Sequence, residues 1–265
     1  MKAIRSVSFI GSGNVATNLA LSFFKKDIKI LSIYSNTIQN AQILAQRVNA
    51  EATNDISQLN TNSDLIVVAL KDDIIDTVLH KIYLSNSLLV HTSGSIDTNS
   101  LSQYANNFGC FYPFQTFRKE IETDLSEIYI FVETNKKESL KRLKDFALLF
   151  SSHVVEMNSE ERKALHIAGV GLNNFTHYLL SITKQYCEDN NLKTDYLTHL
   201  LQQTVNNSFY VDGALKMQTG PARRGDVKII KEHLDSLENS PKYKKIYKAI
   251  SQLILDEFHE KNIQL

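Results

Sequence analysis

Val7-Ser8-Phe9-Ile10-Gly11-Ser12-Gly13-Asn14-Val15-Ala16 runs from a strand pattern straight into a glycine turn, and Leu19, Ala20, Phe23 and Phe24 then repeat at helical spacing. Gly11 to Ala16 fits G-x-G-x-x-A. Such a match is weak alone, but this one sits at the chain's first strand-to-helix turn, where a dinucleotide fingerprint belongs. Each position has a physical task. Gly11 permits the tight turn, Gly13 lets a pyrophosphate approach the backbone, and Ala16 lets the helix pack close to the sheet. Amides of Ser12, Gly13, Asn14 and Val15, at the helix N-terminus, then face the phosphates.

The rest of the first half repeats this alternation. Lys29 to Tyr34, Leu65 to Leu70, Leu88 to His91, Cys110 to Tyr112 and Ile128 to Val132 read as further strands. Ile38, Ala41, Leu44, Ala45 and Val48 recur at helical spacing, as do Ile74, Ile75, Val78, Leu79 and Ile82. Strand and helix in alternation imply right-handed crossovers and a doubly wound parallel sheet. From about Asn158 the pattern becomes helical throughout. The expected fold class is therefore α/β, a Rossmann domain over residues 1–155 followed by an all-α domain over residues 156–265.

Cofactor choice is read after the second strand. An NAD enzyme usually places Asp or Glu about 20 residues past the glycines to hold the ribose hydroxyls. Here the stretch is Ser35-Asn36-Thr37, with no acid to repel a 2′-phosphate and three side chains able to donate to it. This favours NADP, with NAD as the alternative. In a doubly wound sheet the C-terminal strand ends line the ligand crevice, so Leu70-Lys71 and Thr92-Ser93-Gly94 are expected beside the ribose and nicotinamide. For Thr92 to Gly94 a plain turn is an equal reading, and for Asp72 or Asp73 a helix cap is the favoured one.

In the second half, Leu165, Ala168, Leu172, Phe175, Leu179, Ile182 and Tyr186 form an apolar seam, with Asn158 or Ser159 as the helix cap. Leu197, Leu200, Leu201, Val205 and Phe209 form a second apolar face, and Ser240-Pro241 opens the last helix. At about 100° per residue, His166, Asn173 and His177 fall within about 40° of one another on another face. Gly169 and Gly171 lie among them, each costing about 1 kcal/mol in a helix relative to Ala, which asks for close approach of a backbone or ligand. His166 is a candidate proton donor and Asn173 a candidate for orienting a carbonyl or hydroxyl across the nicotinamide. A solvated or inter-subunit helix face is the competing reading. Thr219 to Asp226 is a shaped loop whose two arginines, Arg223 and Arg224, can clamp a carboxylate or phosphate, with Asp226 as the cap of the next helix. An inter-helix turn with surface arginines explains it equally well.

Several classes are disfavoured. Lys plus Arg and Asp plus Glu are both 29, which argues against a dedicated nucleic-acid or anionic-membrane binder. The two cysteines form no CxxC pair, and the histidines His166 and His177, eleven apart, lack the helical spacing of metal ligands, so no metal site is expected. No stretch approaches the roughly 20 apolar residues of a membrane span, and no signal peptide is evident, so a cytoplasmic location is expected.

With these segments in view, the chain resembles the Rossmann-like NADP oxidoreductases related to pyrroline-5-carboxylate reductase and to the deazaflavin-dependent NADP oxidoreductases. The resemblance rests on Gly11 to Ala16, His91 to Ser95, Pro113-Phe114-Gln115-Thr116-Phe117, Ala164 to Val170, Asn173-Asn174-Phe175, Thr219-Gly220-Pro221 and Arg224-Gly225-Asp226. It implies a helical C-terminal domain of the 6-phosphogluconate-dehydrogenase-like type, a homodimer built through it, and Gln115 and Arg224 as substrate-binding residues. Two departures stand out. Tyr112 precedes Pro113 where histidine is common, and the catalytic lysine of the β-hydroxyacid dehydrogenases is absent, its equivalents being Gly169 and Val170. The expected activity is NADP-dependent hydride transfer to or from a small carbonyl, imine or alcohol. A non-catalytic dinucleotide sensor is the alternative.

Overall fold

The computed structural model describes residues 3–210, 214–259 and 263–265. The chain divides into two compact units, Met1–Ala168 and Gly169–Leu265.

The first unit is built on an eight-stranded sheet of order β3-β2-β1-β4-β5-β6-β7-β8. The strands are β1 (Ser6–Ile10), β2 (Lys29–Tyr34), β3 (Glu51–Thr53), β4 (Leu65–Val68), β5 (Leu84–His91), β6 (Ala105–Pro113), β7 (Ile130–Thr134) and β8 (Val154–Glu156). The first six follow the dinucleotide-fold order, whose switch point falls between β1 and β4. Alternation along the strands feeds two cores. Val7, Phe9, Leu65 and Val67 pack with α1 (Asn14–Lys25), α2 (Ile38–Arg47) and α4 (Lys137–Ala147), while Ile10, Ile66 and Val68 join Leu79, Leu101 and Tyr104 on the other face. Covering both faces is what lets these strands be apolar on both sides. Phe23 anchors the first core, its ring edge-on to Phe111 and Phe146 at centroid distances of 5.9 and 4.9 Å.

The sheet departs from the sequence expectation at its far edge. β7 runs antiparallel to β6, because the connection from Phe114 to Tyr129 contains no helix to make a crossover. β3 and β8 are three-residue strands, too short to show as apolar runs. The helix expected over Ile74 to Ile82 is realised as a 3₁₀ turn, Asp72–Ile74, and a short α3 (Ile75–Leu79).

The unit boundary falls later than residue 155 because α5 (Ser159–Gly169) belongs to the sheet through a fully buried side chain, Arg162. Asn158 caps this helix reciprocally: its Oδ1 accepts from Glu161 N at 2.9 Å and its own N–H donates to the Glu161 carboxylate at 3.2 Å.

The second unit is helical. A π-helical segment, Val170–Phe175, precedes α6 (Thr176–Asp189), followed by α7 (Asp195–Tyr210), α8 (Pro221–Arg224), α9 (Val227–Ser236) and α10 (Pro241–Phe258). Ala222, Ile230, Leu234 and Leu255 form its core. Asp226 caps α9 by accepting from Ile229 N, and Pro241 opens α10 as expected, although the Ser240 hydroxyl makes no cap bond. Asn173 lies within this π segment, whose turn is wider than that of a regular α-helix. The apolar seam is largely on the surface: Leu172 is 68% exposed and Phe175 67%. On α7 none of the described side chains is buried, and Leu200 and Val205 are exposed; the side chain of Phe209 lies outside the described residues.

Candidate active site

The glycine turn is shaped by two different demands. Gly11 has φ +119°, and a Cβ there would stand 2.3 Å from the Ala69 carbonyl oxygen, so this position is glycine because β1 and β4 leave no room. Its N–H donates to Tyr34 O at 2.8 Å, tying the turn to β2. Gly13 is the opposite case. Its φ of −77° suits any residue, and a Cβ there would meet nothing within 4 Å. The open space lies at the N-terminus of α1, whose first turn holds no acid, while Ala16 is fully buried against the sheet. Free amides, a positive dipole end and an open approach fit a dinucleotide pyrophosphate.

Beyond β2, Ser35 is half-buried while Asn36 and Thr37 are exposed, and their side chains make no hydrogen bonds among the described residues. Leu70 is half-buried beside Gly11, with Cδ2 3.3 Å from the Cβ position, and Lys71 is exposed. Asp72 is no helix cap: it accepts from the Ser93 hydroxyl at 3.0 Å.

Ser93 organises the loop after β5. Its hydroxyl also accepts from Ser95 N and Ile96 N, its N–H donates to His91 Nδ1 at 3.2 Å, and its carbonyl accepts from the Cys110 thiol. Ser93 therefore shapes this loop with all its polar groups. Thr92 is held to Val68 O through its N–H. Gly94 ends the turn under an imidazole: a Cβ there would lie 2.6 Å from Cγ and Nδ1 of His166. His166 thus packs directly on the loop predicted to border the nicotinamide. Its Nδ1 is 2.9 Å from the Tyr112 hydroxyl, which comes from the end of β6.

Beneath this pair lies a buried polar cluster that the sequence did not announce. Arg162 reaches into the sheet, its side chain 1% exposed, and donates to the Glu133 carboxylate at 2.6 Å and to Ile96 O at 2.6 Å. Ser159 and Thr98 also donate to Glu133. Burial pushes the Glu133 carboxyl up, but the hydrogen bonds from Thr98, Arg162 and Ser159 and the Arg162 charge outweigh it and hold it below the ordinary range. Burial, with the Arg162 charge adding to it, drives His91 down to about 3, so this imidazole is neutral. Burial likewise pushes the Cys110 thiol and the Tyr112 hydroxyl up to about 12 each, leaving both protonated.

Of the other predicted residues, Gln115 is exposed and its Oε1 accepts from Thr116 N, with no described contact to His166. Asn173 lies on the π segment of the second unit and His177 is exposed on α6. Arg224 is exposed at the end of α8, where Gly220 and Gly225, at φ +95° and +73°, shape the loop. Its neighbour Arg223 stacks over Phe258 at 3.8 Å. Among the described residues no acidic, histidine or cysteine group is placed to hold a metal ion, and no helix is long and apolar enough to cross a membrane.

Residues 6–94 match the family described as NADP oxidoreductase, coenzyme F420-dependent, and residues 128–254 match a domain of unknown function, DUF2520. A Bacteroides fragilis protein of solved structure, assigned as an NADP oxidoreductase, is 34% identical with a TM-score of 0.87, the match covering 96% of this chain and 98% of that one. The reductive aminase of Aspergillus terreus, solved with NADPH and ethyl levulinate, is 13% identical with a TM-score of 0.72, covering 97% and 95%. A pyrroline-5-carboxylate reductase of Coxiella burnetii is 15% identical with a TM-score of 0.56, covering 98% and 100%. At such identities the last two show a shared fold. No curated protein matches.

Two predictions follow from this geometry. Gly11→Ala is expected to lower the urea unfolding midpoint, by about 1–3 kcal/mol of backbone strain or more, whereas Gly13→Ala keeps the wild-type midpoint and weakens NADPH binding at least tenfold in calorimetric titration. Equal unfolding midpoints for the two variants would refute the division of roles. His91 takes up a proton at 6.5 when unfolded but only near 3 when folded, so the folded state loses stability as pH falls from 6.5 toward 3. His91→Gln, which keeps an acceptor for Ser93 N, is expected to flatten that slope in urea melts run from pH 7 to 4.

Proposed function

The chain belongs to the NADP oxidoreductase family that joins a coenzyme-F420-dependent-type Rossmann domain to a DUF2520 domain, and on that premise we propose that it reduces small carbonyl or imine compounds with His166 as proton donor. It is an NADP-dependent oxidoreductase. Bound NADPH supplies the hydride; the chain's own residues hold the cofactor, orient the substrate and move the proton. The observation that carries this reading is the His166 imidazole seated on Gly94 at the C-terminal end of β5, the edge of a doubly wound sheet where the nicotinamide half of the cofactor lies. The open approach at Gly13 supports a bound dinucleotide, and the acid-free Ser35-Asn36-Thr37 turn supports NADP in preference to NAD. Within the second unit, Asn173 is proposed to orient a substrate heteroatom and Arg224 to hold an anionic substituent. An imine or carbonyl substrate agrees with the Aspergillus terreus reductive aminase, whose complexes contain ethyl levulinate, cyclohexanone and allyl amine.

The test is NADPH oxidation with cyclohexanone alone and with cyclohexanone plus allyl amine as probes, extended to a wider carbonyl and imine panel. His166→Gln is expected to lose on the order of a hundredfold in kcat while retaining NADPH affinity. Unchanged turnover would remove His166 from the chemistry. NADPH binding without oxidation across the panel would return the sensor alternative.

The same reading includes a homodimer built through the second unit. A 16-residue α7 with no described side chain buried, together with Leu172 and Phe175, presents far more apolar surface than a monomeric helix normally leaves in water. Light scattering is expected to give twice the chain mass of 30.1 kDa, and Leu200→Glu to shift the protein toward monomer. A wild-type monomer would overturn the dimer.

A further inference from the structure

His166 meets its surroundings unevenly. The Cβ, Cγ and Nδ1 side of the ring is pressed on Gly94, and Nδ1 is engaged by Tyr112; within the first unit, Nε2 makes no hydrogen bond among the described residues. Tyr112 is 9% exposed, and its ring is packed by Phe114 and Phe131 at centroid distances of 6.0 and 6.3 Å. A buried hydroxyl hydrogen needs an acceptor, and the one described acceptor within reach is His166 Nδ1. With no other acceptor described for its hydrogen, the Tyr112 hydroxyl donates this bond.

We infer that Tyr112 is a positioning residue that donates to His166 Nδ1, fixes the Nε2–H tautomer and replenishes its proton, so that Nε2–H is the group His166 offers to the substrate heteroatom. This rests on His166 being the proton donor and adds the identity of the nitrogen and the source of the second proton. The transfer balances. As the Nε2–H bond breaks and a heteroatom–H bond forms, the Tyr112 O–H bond breaks and an Nδ1–H bond forms. The negative charge that carbonyl reduction would leave on the heteroatom ends on the Tyr112 oxygen, within the field of the Arg162 guanidinium, until Nδ1–H returns its proton to Tyr112 and water protonates Nε2, which restores the Nε2–H tautomer. Tyr112, at the end of β6, thus acts through the histidine on α5.

The experiment is long-range nitrogen NMR of the full chain labelled with nitrogen-15 histidine, with the His166 signals identified by their loss in His166→Gln. Wild-type protein is expected to show the Nε2–H tautomer of His166. Tyr112→Phe is expected to show a mixture of tautomers and a kcat on the order of a hundredfold lower on the probe that turns over, with NADPH affinity unchanged. An Nδ1–H tautomer in the wild type, or an unaltered tautomer in Tyr112→Phe, overturns the role of Tyr112. The wild-type spectrum decides even if Tyr112→Phe folds poorly. A locked tautomer combined with full turnover in His166→Gln overturns the donor reading, and the proton relay with it.

Discussion

The Arg162 guanidinium, buried under the sheet edge, decides where the candidate chemistry stands. It is clamped by Glu133 on β7 and by the Ile96 carbonyl in the loop after β5, so α5 is fastened to two separate parts of the sheet at once. His166 lies four residues later, one helical turn along, and that spacing sets it on Gly94 and against Tyr112. A paired charge of this kind adds little net stability, because desolvation offsets most of the Coulombic gain. Removing one partner, however, strands the other at a cost of about 3–5 kcal/mol. The pair therefore specifies a register: α5 cannot slide or turn without breaking several charge-assisted bonds together.

The cluster around it has been kept short of full satisfaction. His91 Nε2 and Arg162 Nε are buried without a hydrogen-bond partner among the described residues. Each such donor costs about 1–3 kcal/mol. Burial and the neighbouring guanidinium keep His91 neutral, which avoids adding a second cation beside Arg162. Cys110, its register partner on β6, stays a thiol for the same reason of burial. The result is a protonated but largely uncharged floor under the Ser93 loop. In that setting the charges beside Tyr112 are those of the Arg162–Glu133 pair, the guanidinium favouring a deprotonated Tyr112 and burial opposing it.

How much of this was readable depended on range. The glycine turn and the strand runs at Val7, Lys29, Leu65 and Leu88 are local patterns, and the sheet order follows from them and from the handedness of crossovers. Leu165 and His166 could be placed on a helix from spacing alone. The π segment could not, because within Val170–Phe175 only Gly171, two residues after the N-cap Gly169, departs from an ordinary helical pattern, and a glycine equally suggests room for a ligand. A Cβ at Gly171 would in fact meet nothing within 4 Å. Arg162 looks like any charged residue on an amphipathic helix; its burial is set by Glu133, 29 residues earlier, and by the loop at Ile96. Tyr112 was noticed only as a departure from a family pattern, and its meaning needed the contact with His166.

The glycines separate fold from function in a way their motif does not. Gly11 and Gly94 are fixed by what already surrounds them, a carbonyl oxygen and an imidazole, so a side chain at either would collide with the protein itself. Gly13 is fixed by nothing in the chain. A glycine that the fold does not require, exposed at the N-terminus of a 12-residue helix without an acid in its first turn, marks space reserved for a ligand of negative charge. Gly94 links the two readings: it is small so that His166 can reach the loop at the end of β5. That contact joins the loop at the end of β5, where the nicotinamide is proposed to lie, to the helix that bears the proposed proton donor.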